Sequence, residues 1–152
     1  MLEVAGLQAG YGEAQVLFGI DFDVKAGEVV ALLGRNGMGK TTTVKSIFGL
    51  LPPMAGRVVF EGTDLAGKPP YTIAQRGLGL VPEGRQVFPT LTVEENLVAT
   101  AAHRFGQPKW TLPRVYELFP RLEKRLGNLG SQLSGGEQQM LAISREIGRA
   151  HV

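Results

Sequence analysis

Gly34-Arg35-Asn36-Gly37-Met38-Gly39-Lys40-Thr41-Thr42 is the stretch on which the reading of this chain turns. An apolar run precedes it, Val29-Val30-Ala31-Leu32-Leu33, rich enough in Val and Leu to predict a buried strand. A helical pattern follows from Thr43 to Phe48, with Val44, Ile47 and Phe48 at i, i+3 and i+4. Gly49 is its expected carboxyl-terminal stop, and Pro52-Pro53 bar continuation. Strand, glycine-rich loop, Lys-Thr and helix form the setting in which G-x-x-x-x-G-K-[ST] cradles phosphate.

The residue types suit that chemistry. Gly34, Gly37 and Gly39 let backbone N–H groups converge on a polyphosphate without side-chain clash. The helix beyond offers further N–H groups and a positive dipole end. Lys40 brings a mobile charge for the β- and γ-phosphates, and the Thr41 hydroxyl suits Mg²⁺. The plainer alternative is a glycine-rich turn with one exposed lysine. A dinucleotide fold fits less well, because the glycines do not follow G-x-G-x-x-G and that fingerprint carries no Lys-Thr. Nucleotide binding is the expectation.

Composition bounds the rest. A chain of 152 residues, 43% hydrophobic and 20% charged, suits one globular domain. Sixteen Lys and Arg against fourteen Asp and Glu is too even a balance to argue for a nucleic-acid surface. The 21 glycines are about twice average usage, which suits loops that approach a ligand or another backbone. With no Cys, disulfides and thiolate metal sites are excluded. No window reaches the ~18 apolar residues of a transmembrane helix, and the amino terminus lacks the regions of a signal peptide. The chain is therefore expected to be cytoplasmic, with any membrane association arising through a partner.

Along the chain, Leu2 to Leu7 and Val16 to Val24 predict strands, the second with Asp21 and Asp23 on one face and Ile20, Phe22 and Val24 on the other. Tyr11, in the Gly10-Tyr11-Gly12 loop between them, could stack on a base, though an ordinary surface tyrosine is the simpler reading. Gly56 to Phe60 predicts a strand ending at a Glu61-Gly62 turn, where Glu61 reads as a solvated carboxylate rather than a metal ligand. A short helix over Thr72 to Gln75 and a buried strand over Leu78 to Val81 lead to Pro82-Glu83-Gly84-Arg85. Thr92 and Glu95 form a capping box for a helix from Val93 to about His103, and His103 reads as structural. Leu112 to Leu126 reads as helix interrupted at Pro113 and Pro120, with basic residues best explained as a solvated face.

A second constellation is Leu133-Ser134-Gly135-Gly136-Glu137-Gln138. Ser134 and Glu137 sit at capping-box spacing, so a well-capped helix start is the plain reading. Two glycines within the cap also leave bare N–H groups at a positive helix end, suited to an anion.

The loop at Gly34 to Thr42 followed in order by this hexapeptide resembles the nucleotide-binding subunits of ABC transporters, from Leu2 to Arg145. The runs GYGEAQVLFGIDF, LGLVPEGRQVFPTLTVEENL and LSGGEQQMLAISR are similar to the branched-chain amino acid importers of LivF type. The resemblance implies an α/β fold: a P-loop NTPase core with amino-terminal antiparallel strands and a helical subdomain over about residues 85 to 130, the carboxyl-terminal part of the core missing. It implies ATP and Mg²⁺ at Gly34, Asn36, Gly37, Gly39, Lys40, Thr41 and Thr42, with Thr41 on the metal and Tyr11 beneath adenine. Leu133, Ser134, Gly135, Gly136, Glu137 and Gln138 would meet ATP held by a second ATP-binding subunit in a head-to-tail dimer. Glu83 stands where most of the family has the Q-loop Gln that senses Mg²⁺. The implied partners are transmembrane permease subunits and, indirectly, a periplasmic binding protein. The implied place is peripheral, on the cytoplasmic face of the inner membrane.

After the signature helix the family continues into a strand with an Asp for Mg²⁺ and a Glu for the attacking water, then a switch His. The 152 residues are therefore expected to bind ATP but hydrolyse it poorly, and to be poorly stable alone. Glu146 to Val152 departs abruptly from the family and can be written in codons resembling a sequencing-library adapter, so it is expected to be a non-native tail. Two alternatives stand beside an import ATPase: a binding-only truncated module, and a soluble ABC protein of translation or DNA repair.

Overall fold

A computed structural model describes residues 1–99 and 110–150, with side chains described through residue 147. The chain forms two compact units, Met1–Arg76 and Gly77–Val152.

The first unit is a four-stranded antiparallel sheet with two helices. Strands β1 (Leu2–Tyr11), β2 (Ala14–Val24), β3 (Ala55–Phe60) and β4 (Thr63–Asp64) lie in the order β2-β1-β3-β4. The first two are longer than the alternation suggests, because a bulge hides the period. Pairing slips between Val4 and Leu7, where Gly6 takes φ 59° and its N–H donates to Asp21 Oδ1 at 2.7 Å. The inserted residue moves the inward set from Val4 to Leu7 and Ala9, all buried. Asp21 and Asp23 are exposed while Ile20, Phe22 and Val24 are half-buried, as their alternation implies. Glu61 and Gly62, at φ 48° and 75°, make the tight two-residue turn between β3 and β4.

Helix α1 (Lys40–Ile47) begins earlier than its apolar spacing predicts, at the lysine itself. It ends as expected at Gly49, with φ 67°. Gly49 N donates to Ser46 O at 3.2 Å and Leu50 N to Lys45 O at 2.8 Å, the paired bonds of a Schellman stop. Helix α2 (Pro70–Gln75) contributes Ile73 to a core of Val4, Leu7, Leu17, Val58 and Leu65.

Two expected strands do not form. Val29 to Leu33 has no regular structure, with Val29 96% and Leu33 88% exposed. Leu78 to Val81 is likewise irregular, with Leu78, Leu80 and Val81 half-buried. An apolar run becomes a strand only when a neighbour accepts its N–H and C=O groups and covers its faces. Among the described residues neither run has such a ladder.

The second unit is helical. Helix α3 (Val93–Val98) opens on the expected capping box: Glu95 N donates to Thr92 Oγ1 at 3.2 Å and Thr92 N to Glu95 Oε2 at 2.7 Å. The end near His103 lies outside the described residues. The expected helix over Leu112 to Leu126 is two, α4 (Leu112–Leu118) and α5 (Pro120–Glu123). Pro120 lacks the N–H that would continue α4, whereas Pro113 sits in the first turn, where that loss costs nothing. A 3₁₀ turn (Gly130–Gln132) leads into α6 (Gly135–Ala150), which continues without a break past Arg145. Val93, Leu97, Val115, Leu122, Leu133 and Leu141 form the core. No helix among the described residues is long and apolar enough to cross a membrane.

Candidate nucleotide site

Lys40 draws the glycine-rich loop and the start of α1 together. Gly37 and Gly39 adopt φ 83° and 86°, conformations that a side chain would strain. A Cβ on Gly39 would also come within 2.6 Å of Leu17 Cδ2, whereas one on Gly37 would meet open space. The loop is therefore pressed against β2 at its end and open at its middle. Lys40 folds back over it, its Nζ donating to Gly34 O at 2.7 Å and Arg35 O at 2.9 Å. The helical ladder starts with Thr43 N donating to Gly39 O at 2.8 Å, so the N–H groups of Lys40, Thr41 and Thr42 have no acceptor within the helix. An ammonium and a helix amino terminus thus converge on one exposed loop, an arrangement that suits a polyphosphate. Asn36 and Thr41 are exposed, so the hydroxyl expected to hold Mg²⁺ can reach a cation beside that phosphate. Thr42 is different: it is 5% exposed and packs inward, leaving only its backbone for a ligand.

Tyr11 ends β1 at 48% exposure, and Lys45 Nζ of α1 lies 5.8 Å from its ring centroid. The hairpin and the phosphate-loop helix are thereby tied through a cation–π contact. Sequence reasoning singled out Tyr11 but missed Lys45, whose side chain reads as an ordinary solvated lysine.

The hexapeptide occupies the second unit, where its residues divide into supports and open positions. Leu133 is 7% exposed and belongs to the core. Ser134 caps α6: Glu137 N donates to Ser134 Oγ at 3.4 Å, and Ser134 N and Oγ donate to Glu137 Oε2 at 2.8 Å each. Those bonds from Ser134, backbone first, with Arg125 at 3.5 Å, hold the Glu137 carboxyl below the usual carboxylate range. Gly136 is exposed, and a Cβ there would meet nothing within 4 Å. Gln138 is turned inward, its Nε2 donating to Gly130 O at 3.0 Å.

Glu83 lies exposed in a turn after Pro82. Arg85, which follows this turn, was given no role from the sequence, yet its guanidinium covers Gly135. Arg145 was also missed. It is 6% exposed, and its Nη1 donates to Gln86 O at 3.0 Å. No local spacing signals either contact, because each spans more than forty residues of chain.

Comparison with known proteins agrees with this geometry. The family described as ABC transporter matches residues 17–150. A high-affinity branched-chain amino acid transport ATP-binding protein, BraG of Pseudomonas aeruginosa, is 42% identical over 97% of this chain and 64% of its own length. A lipopolysaccharide export system ATP-binding protein, LptB of Haemophilus influenzae, is 35% identical over 97% of this chain and 62% of its own. Among solved structures, an ATP-binding subunit of an ABC transporter superposes with TM-score 0.81 at 36% identity, over 96% of this chain and 61% of that one. The chain thus spans somewhat less than two thirds of the proteins it matches.

Proposed function

The chain belongs to the ABC transporter family, and on that premise we propose that it is the ATP-binding part of an importer for branched-chain amino acids. The observation that carries the nucleotide reading is the closed cradle: Lys40 Nζ latched at 2.7 Å to Gly34 O above two left-handed glycines at the start of α1. In the proposed complex Gly34, Asn36, Gly37 and Gly39 surround the phosphates with backbone. Lys40 exchanges its carbonyl partners for phosphate oxygens, Thr41 ligates Mg²⁺, and the Thr42 N–H completes the helix end. The Tyr11 ring supports the base. Mg²⁺ would supply charge neutralisation between the β- and γ-phosphates.

In the second unit, Ser134, Gly135 and Gly136 are proposed to meet the γ-phosphate of ATP held by a second ATP-binding subunit, with Leu133, Glu137 and Gln138 as their supports. Glu83 is proposed to occupy the permease-sensing turn. The assembly would sit peripherally on the cytoplasmic face of the inner membrane, against permease subunits fed by a periplasmic binding protein. The residues assigned here bind and orient nucleotide, and none polarises water, so the 152 residues alone are proposed to bind ATP with little turnover.

Import of branched-chain amino acids is supported by the 42% identity to BraG, and lipopolysaccharide export is the second reading, supported by the 35% identity to LptB. Changing Lys40 to Ala at the native locus separates them. Loss of labelled leucine uptake with a normal cell envelope supports import. Normal uptake with lipopolysaccharide retained inside overturns it in favour of export.

A further inference from the structure

Directly after Glu83 the backbone makes an uncommon turn: Gly84, Arg85 and Gln86 take φ 79°, 66° and 42° in succession. Two residues with side chains in the left-handed region persist only where their surroundings hold them. The holding contacts come from two points on α6. At its first turn the Arg85 guanidinium lies on Gly135, so close that a Cβ there would fall 2.9 Å from Nη1 and 3.1 Å from Cζ. The same Nη1 donates to Gln138 Oε1 at 3.4 Å. Ten residues further along, buried Arg145 donates from Nη1 to Gln86 O at 3.0 Å and sets its guanidinium carbon 5.0 Å from the Phe88 ring centroid. Its Nε lies 3.6 Å from Glu146 Oε1, an ion pair too long for a hydrogen bond. Phe88 is pinned in turn, its N–H donating to Asn96 Oδ1 at 2.8 Å.

We propose that Arg85 and Arg145 clamp the left-handed Gly84–Gln86 turn to α6 at two points, so that movement of the Glu83 turn displaces the Ser134–Gly136 turn. Both are positioning residues. The proposal rests on the functional reading only for what those two turns do, since the mechanical link is a property of this chain. A methyl group at position 135 would meet the tip of the exposed Arg85 side chain and push it aside. Alanine is otherwise a better helix former than glycine, so Gly135→Ala should move Arg85 without weakening α6 itself.

The test is residue-resolved hydrogen exchange on the 152-residue chain without nucleotide. Arg85→Ala is expected to speed exchange at least tenfold at amides of residues 84–88 and 135–138, leaving the Leu97 and Leu141 amides unchanged. Gly135→Ala should reproduce the faster exchange at 84–88 from the other side of the contact, because coupling is reciprocal. The double variant should add nothing further. Arg145→Lys, which keeps the charge and loses the fork, should speed exchange at 86–88. Wild-type rates at 84–88 in Gly135→Ala would overturn the clamp, as would a uniform rise across the whole second unit in Arg85→Ala. A chain that exchanged as expected but failed to bind ATP would overturn the nucleotide assignment and leave the clamp standing.

Discussion

Asn96 offers the sharpest test of how the second unit is held together. It is fully buried, and its amide organises the segment from Phe88 to Thr92. Oδ1 accepts from Phe88 N at 2.8 Å, while Nδ2 faces Phe88 O at 3.0 Å, Leu91 O at 3.1 Å and Thr92 O at 2.9 Å. Two amide protons serve three carbonyls, so the side chain counts as about three net hydrogen bonds. At about 1 kcal/mol each, Asn96→Ala should cost about 3 kcal/mol, a large share of the stability of any small domain. Asn96→Asp is the stricter comparison. It keeps the shape and the acceptor for Phe88 N, but removes both donors and turns a carboxylate toward three carbonyl oxygens, so it should cost at least as much. Trp110 is the only tryptophan and lies in the second unit, so its fluorescence during urea unfolding follows that unit. For a small domain the expected loss moves the midpoint down by about 1–3 M urea. A shift equivalent to less than about 1 kcal/mol, or an Asp variant as stable as wild type, would refute the reasoning.

Three further outcomes follow from the same geometry. Glu95 and Glu137 both titrate below the usual carboxylate value because Thr92 and Ser134 donate to them, backbone N–H first. The unfolded chain therefore binds more protons in that range, so their contribution is present above the ordinary carboxylate value of 4.5 and is lost as pH falls through the lower folded values. Urea midpoints should drop below that pH, and Glu95→Gln and Glu137→Gln should each flatten the acid slope; an unchanged slope in both variants contradicts this. Gly49→Ala forces a side chain into φ 67° against Lys68 O and Ile73, so calorimetry should show the first unit losing more than about 1 kcal/mol. Tyr11→Ala should weaken ATP binding about tenfold by fluorescence titration, in line with about 1–3 kcal/mol for a stacked base. Tyr11→Phe keeps the ring face and should bind as wild type; equal affinity in the Ala variant removes Tyr11 from the site.

Local chemistry was legible in the sequence, and long-range pairing was not. The Lys40 loop, the Gly49 stop and the capping boxes at Thr92 and Ser134 each depend on residues within about six positions, and each stands where the residue types placed it. The Gly6 bulge escaped because its cause, Asp21, is fifteen residues away. Val29 to Leu33 carries the composition of a buried strand yet lies exposed, since composition records what a segment could bury and not whether a neighbour is there to bury it. Thr42 illustrates the same limit within the site: its motif position suggests a ligand contact, and its side chain packs inward. Arg85 and Arg145 both fall in runs that carry the family resemblance, but their partners are distant in sequence, and only the fold shows Arg85 against Gly135 and Arg145 bonded to Gln86 O.

The most direct test is calorimetric titration of ATP with Mg²⁺ into the 152-residue chain and into its Lys40→Ala variant, with circular dichroism showing both folded alike. Saturable binding by the wild type and none by the variant is the expected result, because Lys40 closes the cradle on Gly34 and Arg35. Equal binding by the two, or none by a folded wild type, would contradict the assignment of residues 34–42 as the nucleotide site.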